Sequence, residues 1–89
     1  MTKTVIITGG NKGIGLSITK KFVQNNFNVF VGARSYNLDL KKLGSKVTFV
    51  KIDAQKETEH ERLAKKAINL SGNIDVYINN VGLSKWLPI

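Results

Sequence analysis

One segment constrains what this 89-residue chain can fold into more than any other: Thr8–Gly15, which reads TGGNKGIG. A run rich in β-branched residues, 4–7, directly precedes it, and an amphipathic stretch follows it. A glycine-rich turn that leaves a strand and opens a helix is the context of a phosphate-binding turn. The segment therefore predicts a strand–turn–helix unit that binds an anion.

Three glycines of this turn have distinct physical roles. Gly9 lets the chain leave the strand through a positive φ, which is cheap only for glycine. Gly13 lets the backbone approach a pyrophosphate, and Gly15, inside the first helical turn, lets helix and strand pack closely. The backbone amides that start the helix lie at the positive end of its dipole, so they favour an anion.

A P-loop is the competing motif, and the sequence excludes it. That motif requires two glycines separated by four residues and then Lys followed by Ser or Thr. Gly10 and Gly15 have the separation, but Leu16 and Ser17 follow. The alternative that remains is a glycine-rich turn without a ligand.

Short apolar runs alternate with amphipathic stretches along the whole chain. The predicted strands are 3–8, 28–33, 47–52 and 74–79, and the predicted helices are about 14–25, 38–43 and 56–70, the last closing at Gly72. Apolar strands joined by helices are typical of an α/β protein with a parallel sheet covered on both faces. Right-handed crossovers then favour half of a doubly wound sheet.

Composition excludes several classes of site. The chain has no cysteine, so disulfides, thiolate metal sites and a cysteine nucleophile are excluded, and His60 is the only histidine. We expect His60 to be a solvated residue at the start of a helix. No stretch approaches the roughly 20 apolar residues that span a bilayer, and the first apolar run, Val5–Ile7, is too short for a signal-peptide core. A cytoplasmic location is the expectation.

The chain is basic, with 14 Lys and Arg against 6 Asp and Glu and a formal net charge of +8. A basic balance favours anionic partners, among them nucleotide phosphates and nucleic acid. The lysine pairs at 20–21, 41–42 and 65–66 fall on expected helix surfaces, so they are interpreted as solvated faces. Aromatic and basic residues do not interleave, so nucleic acid is not an expected partner.

Four features together resemble the short-chain dehydrogenase/reductase family, and one of them is the end of the second strand, where the family contacts the adenosine ribose. The Thr-Gly-x-x-x-Gly-x-Gly spacing of Thr8–Gly15 is similar to the family's fingerprint. Asp53, just past the third strand, matches the family's Asp beside the adenine ring, and Ile74–Gly82, reading IDVYINNVG, resembles a signature that usually ends Asn-Asn-Ala-Gly. Val81 replaces the usual Ala. The resemblance implies a Rossmann-like sheet of strand order 3-2-1-4, with residues 1–89 as its NADP(H)-binding half.

The end of the second strand predicts which nicotinamide cofactor is held. An acidic residue there would bind the ribose hydroxyls of NAD and repel a 2′-phosphate. This chain has Ala33 at that place, followed by Arg34, whose planar guanidinium suits a phosphate. Lys12 is a second cation within the expected reach, and Ser35 adds a hydroxyl donor. The pattern favours NADP over NAD.

The resemblance also assigns roles further along the chain. Asn80 and Gly82 are expected beside the nicotinamide ribose, Thr8 and Asn79 are expected to tie strands one and four together through buried hydrogen bonds, and Asp75 is interpreted as a turn or strand-start residue. The cofactor-binding residues implied in all are Gly9, Asn11, Lys12, Gly13, Ile14, Gly15, Arg34, Ser35, Asp53, Ala54, Asn80, Val81 and Gly82.

The residues that perform the family's chemistry are missing. Members of the family transfer a hydride between the nicotinamide and a carbonyl or alcohol carbon, using a Ser and a Tyr-x-x-x-Lys motif. Tyr36 and Tyr77 are followed four residues later by Leu40 and Val81. We therefore expect an N-terminal fragment that does not catalyse alone. Two hypotheses stay open. The first is the cofactor half of an oxidoreductase whose full-length form binds a small carbonyl or alcohol substrate and, as often in the family, forms homo-oligomers. The second is a non-catalytic nucleotide-binding module.

Overall fold

The computed structural model describes residues 2–80, which form four strands and three helices. The elements are β1 Thr4–Thr8, α1 Gly13–Gln24, β2 Asn28–Ala33, α2 Leu38–Lys41, β3 Val47–Lys51, α3 Glu57–Ser71 and β4 Val76–Asn79. The predicted order βαβαβαβ is confirmed. The predicted bounds of β2 are those observed, and each other element differs from prediction by one or two residues at one or both of its ends.

The four strands form one parallel sheet in the order β3-β2-β1-β4, as predicted. β1 is flanked on both sides: Ile6 pairs with Phe30 of β2 and with Tyr77 of β4. All five residues of β1 are buried. A parallel sheet places the carboxyl ends of all its strands at one edge, so the loops after the four strands converge there.

Alternate residues of β1 divide the core into two layers. Ile6 packs on one face with Phe30 of β2 and Leu63 of α3. Val5 and Ile7 pack on the other face, where the buried and half-buried partners are Val29, Val31, Leu40 and side chains of α1 such as Leu16, Ile18 and Phe22. Successive side chains of a strand point to opposite faces of the sheet, and both faces are covered here. This explains why neighbouring residues of β1 are all apolar or buried.

The third helix ends as the sequence predicts. Gly72 follows α3 in the left-handed conformation, with φ 85°, and its amide donates to the carbonyl of Ile68 at 2.8 Å. Glycine is the usual residue at this position because it lacks a Cβ. At 15 residues, α3 is the longest helix of the described part. None of the helices within residues 2–80 is both long and apolar enough to cross a membrane.

Candidate functional site

A cleft of about 460 Å³ opens at the carboxyl edge of the sheet. Residues from the ends of all four strands line it: Gly9, Asn11, Lys12, Ala33, Arg34, Ser35, Ile52, Asp53, Ala54, Gln55 and Asn80. In open α/β sheets ligands bind at this edge. Eight of these residues are predicted site residues; Ile52 and Gln55 are additions that sequence analysis missed, although both flank the predicted pair Asp53 and Ala54.

The glycine turn has the geometry that its sequence predicts. Gly9 has φ 67°, and its amide donates to the carbonyl of Gly32 at 2.8 Å. A Cβ on Gly15 would overlap the carbonyl of Gly9 and lie 2.7 Å from the side-chain nitrogen of Asn80. A Cβ on Gly13 would meet nothing within 4 Å, although its φ of 50° still favours glycine. The turn therefore leaves no space for a side chain at Gly15, whereas the space beside Gly13 is free.

The first turn of α1 has free backbone donors. Lys12 at the N-cap has an extended backbone and supplies no side-chain cap, and the first turn contains no acidic residue. Within residues 2–80 the amides of Gly13, Ile14 and Gly15 have no hydrogen-bond partner. Ile14 is 73% exposed. These three residues lie beside the cleft rather than in its lining, and their free amides make the helix start suited to an anion.

The end of β2 places a cation over the cleft. Ala33 is buried and lines the cleft, and the exposed guanidinium of Arg34 lies 3.4 Å from the carboxylate of Asp53. That carboxylate also accepts from the amide of Gln55 at 3.1 Å. The Gln55 amide first, and the Arg34 guanidinium second, hold the pKa of Asp53 below its usual value. The residue predicted to bind phosphate and the residue predicted to meet adenine are thus in contact.

Asn11 lines the cleft, and its side chain also makes a contact within the protein. Its side chain is buried, and its amide nitrogen donates to the carbonyl of Ser35 at 2.9 Å. The carbonyl of Asn11 in turn accepts from the side chain of Asn37 at 2.7 Å. Asn37 is not among the predicted site residues, although an Asn directly before a helix is a known capping signal. The side chain of Asn11 thus joins the glycine turn to the segment after β2 beside the cleft.

The first turns of α3 hold the wall of the cleft that follows β3. Glu59 accepts from the amide of Asp53 at 3.2 Å and from Arg62 Nε at 2.8 Å. Arg62 also donates to the carbonyl of Lys51. The Arg62 guanidinium, with the Asp53 amide as a second donor, lowers the pKa of Glu59 to about 2. The loop after β3 is therefore fixed to α3 at both Lys51 and Asp53.

The prediction of a solvated His60 is wrong. His60 is half-buried, with Nε2 at 2.7 Å from the carbonyl of Ala54 and Nδ1 at 2.5 Å from the hydroxyl of Tyr77. Because a carbonyl only accepts, Nε2 donates to Ala54, and Nδ1 makes the second hydrogen bond of the ring, to the Tyr77 hydroxyl. Burial raises the pKa of the Tyr77 hydroxyl. The prediction failed because the partner comes from β4, which lies beside His60 only after the sheet has formed.

Strand β4 is tied to β1 as predicted. The hydroxyl of Thr8 donates to the side-chain oxygen of Asn79 at 2.9 Å and accepts from the amide of Asn80 at 3.1 Å. Asn79 is itself exposed, so the bond is less buried than predicted. Asn80 also donates to the carbonyl of Gly9 at 3.3 Å, which brings it to the glycine turn.

Asp75 has the structural role predicted for it. Its carboxylate accepts from the amide of Thr4 at 2.7 Å, and its own amide donates to the Thr4 carbonyl at 2.8 Å. Asp75 thereby sets the register in which β4 joins β1. The predicted contacts Val81 and Gly82 lie outside the described residues.

Comparisons with known proteins agree with this fold. Residues 3–89 match the family model for short chain dehydrogenase, and the chain belongs to that family. The chain is 35% identical to 3-oxoacyl-(acyl-carrier-protein) reductase FabG of Chlamydia muridarum over 92 residues, which is 96% of this chain and 37% of the relative. It is 32% identical over 95 residues to the (S)-acetoin-forming diacetyl reductase of Staphylococcus epidermidis, which is all of this chain and 37% of that relative.

A solved structure extends the comparison to three dimensions. ElxO with NADP bound superposes with a TM-score of 0.79 at 30% identity, covering 90% of this chain and 35% of that one. The chain therefore spans about a third of the length of the proteins it matches. These residues form the Rossmann-like parallel sheet found in the matched part of the short chain dehydrogenase family.

Proposed function

We propose that residues 1–89 hold NADP(H) for an oxidoreductase that transfers a hydride between this cofactor and a carbonyl or alcohol substrate. The observation that carries the cofactor assignment is the joint placement of Lys12, Arg34 and Ser35 in the lining of the cleft. The buried residue at the end of β2 is Ala33, so no carboxylate stands there to repel a 2′-phosphate. The cation pair and the missing acid both favour NADP(H) over NAD(H).

The geometry of the glycine turn fits the pyrophosphate of such a cofactor. The amides of Gly13, Ile14 and Gly15 are free donors within the described residues, and space is open beside Gly13. The pyrophosphate would be held there by backbone amides and the helix dipole. The cleft volume of about 460 Å³ lies within the range of about 300–1,000 Å³ for ligand sites.

The remaining assignments follow the edge of the sheet. We assign the adenine to the wall formed by Asp53 and Ala54, with Ile52 as an apolar neighbour. We assign the nicotinamide ribose to the end of β4, where Asn80 lies beside the glycine turn. Val81 and Gly82 are assigned to the same ribose from the sequence alone. Asn11 acts in it through its backbone position, since its side chain holds Ser35.

The Tyr-x-x-x-Lys motif of the family does not occur in these 89 residues. Neither Tyr36 nor Tyr77 begins a Tyr-x-x-x-Lys motif, and the hydroxyl of Tyr77 is bound to His60. Our proposal is therefore that these 89 residues bind the cofactor and do not reduce a carbonyl by themselves. This observation equally favours a second candidate function, a nucleotide-binding module without turnover.

The carbonyl substrate class rests on the relatives. The two curated relatives are a 3-oxoacyl reductase and a diacetyl reductase, and both names describe reduction of a carbonyl group. Adding a separately produced carboxyl-terminal portion of such a relative would distinguish the two functions. Recovery of NADPH oxidation by a carbonyl substrate supports the oxidoreductase, whereas unchanged NADPH binding without oxidation supports the module.

Calorimetric titration of the protein with NADPH and NADH tests the cofactor assignment. Two charge-assisted contacts to one phosphate favour NADPH by about tenfold or more. Equal affinity, or tighter binding of NADH, would contradict the proposal.

A further inference from the structure

Two hydrogen bonds between side chains and the backbone join the glycine turn to the segment after β2. Asn11 Nδ2 donates to the carbonyl of Ser35 at 2.9 Å, and Asn37 Nδ2 donates to the carbonyl of Asn11 at 2.7 Å. The side-chain oxygen of Asn37 accepts from the amide of Leu40 at 3.1 Å. Asn37 therefore holds the glycine turn with one end of its amide and caps α2 with the other.

These bonds begin where the backbone pairing of β1 and β2 stops. The pairing ends at Thr8 and Gly32, and one more backbone bond, from Gly9 to Gly32, follows at 2.8 Å. The positive φ of Gly9 then turns the chain out of the ladder. Within residues 2–80 no backbone hydrogen bond joins the two segments beyond that point. The asparagine side chains alone supply polar contacts between them there.

The two segments carry the groups assigned to the 2′-phosphate. Lys12 follows Asn11 in the glycine turn, and Arg34 and Ser35 precede Asn37 after β2. Charge-assisted hydrogen bonds are short, at about 2.7–2.9 Å. One phosphate can therefore bind both cations only if the two segments keep a fixed separation.

We propose that Asn37 is a positioning residue that sets the preference for a 2′-phosphate. By holding the carbonyl of Asn11, it fixes Lys12 relative to Arg34 and Ser35. Asn37 itself does not line the cleft, so it acts through the glycine turn and not on the cofactor. The inference rests on the proposed NADP(H) function and concerns how that site discriminates.

The substitution Asn37→Ser tests this role because it separates the two ends of the side chain. Serine caps a helix about as well as asparagine, but it has no amide to reach Asn11. The probes are adenosine 2′,5′-bisphosphate and adenosine 5′-monophosphate, which differ by one phosphate. We expect the ratio of their dissociation constants to fall by about three- to tenfold, the effect of losing one hydrogen bond. Asn37→Thr should behave in the same way.

Asn25→Ser is the matched control. Asn25 also donates its side-chain amide to a carbonyl, that of Lys21 at 2.8 Å, but on the exposed end of α1 away from the cleft. Its ratio should equal that of the wild type, and thermal unfolding shows that each variant is folded. A wild-type ratio in both Asn37 variants, or an equal loss of affinity for both probes, would overturn the positioning role. A wild-type protein that binds both probes equally would instead contradict the NADP(H) assignment itself.

Discussion

The guanidinium of Arg34 lies 3.4 Å from the carboxylate of Asp53, so the ends of β2 and β3 are joined across the cleft. The Arg34 side chain is 70% exposed, and exposed ion pairs contribute little to stability. Under the proposed function, the ion pair holds the guanidinium beside the cleft with its remaining donors available to a phosphate.

Replacing Gly15 with alanine should damage both stability and nucleotide binding. The added methyl would overlap the Gly9 carbonyl and press on the side chain of Asn80. Overpacking of this kind costs about 1–3 kcal/mol of the free energy of unfolding. The turn would also shift, so we expect weaker NADPH binding in the protein that remains folded. Urea unfolding and calorimetry measure the two effects.

Gly44→Ala is the control for that substitution. Gly44 has φ 86°, but a Cβ there would meet nothing within 4 Å, and the residue lies outside the cleft. The left-handed conformation alone should cost about 1–2 kcal/mol, with unchanged affinity for NADPH. If both variants bound NADPH equally well, the close packing at Gly15 would not shape the site.

Replacing either of two buried threonines with valine should change the free energy of unfolding, in opposite directions for the two positions. The hydroxyl of Thr4 has no hydrogen-bond partner among the described residues, whereas that of Thr19 donates to the carbonyls of Gly10 and Gly15 at 3.0 and 2.9 Å. An unsatisfied buried polar group costs about 1–3 kcal/mol. Thr4→Val should therefore raise the free energy of unfolding, and Thr19→Val should lower it. Denaturant unfolding that moved both values the same way would contradict this account.

Stability should fall in acid partly through Glu59. Its pKa in the folded protein is about 2, below the ordinary 4.5, because Arg62 and the Asp53 amide favour the carboxylate. A lowered folded-state pKa gives stability that is present above about pH 4.5 and lost as the pH falls towards 2. Glu59→Gln should therefore show a smaller decrease in melting temperature across this range than the wild type.

Glu61→Gln provides the comparison for that measurement. Glu61 lies on the same helix, is exposed, and makes no ion pair within residues 2–80. Its melting temperature should follow the pH dependence of the wild type. Identical curves for Glu59→Gln and Glu61→Gln would show that the Glu59 contacts do not stabilise the loop after β3.

The sequence predicted the elements well because their signals are local. β2 is an apolar run between Asn28 and Arg34, and the glycine turn marks the junction of β1 and α1. The short helix α2 was predicted two residues too long, since Lys42 and Leu43 continue a helical pattern that the chain leaves at Lys41.

What the sequence did not predict depends on neighbours distant along the chain. His60 meets Tyr77 only because β4 returns to the edge of the sheet beside β1. Asn37 and Asn11 are 26 residues apart, and their bond depends on where the backbone ladder ends. Local patterns identify such residues as polar loop or helix positions, but they do not specify which carbonyl each side chain will reach.

The dissociation constants of NADPH and NADH, measured for the wild type and for Arg34→Ala, test the central claim most directly. Lys65→Ala, at an exposed position of α3 outside the cleft, removes the same charge and serves as the control. The account predicts that the wild type and Lys65→Ala prefer NADPH and that Arg34→Ala loses about tenfold of that preference. An unchanged preference in Arg34→Ala would contradict the account.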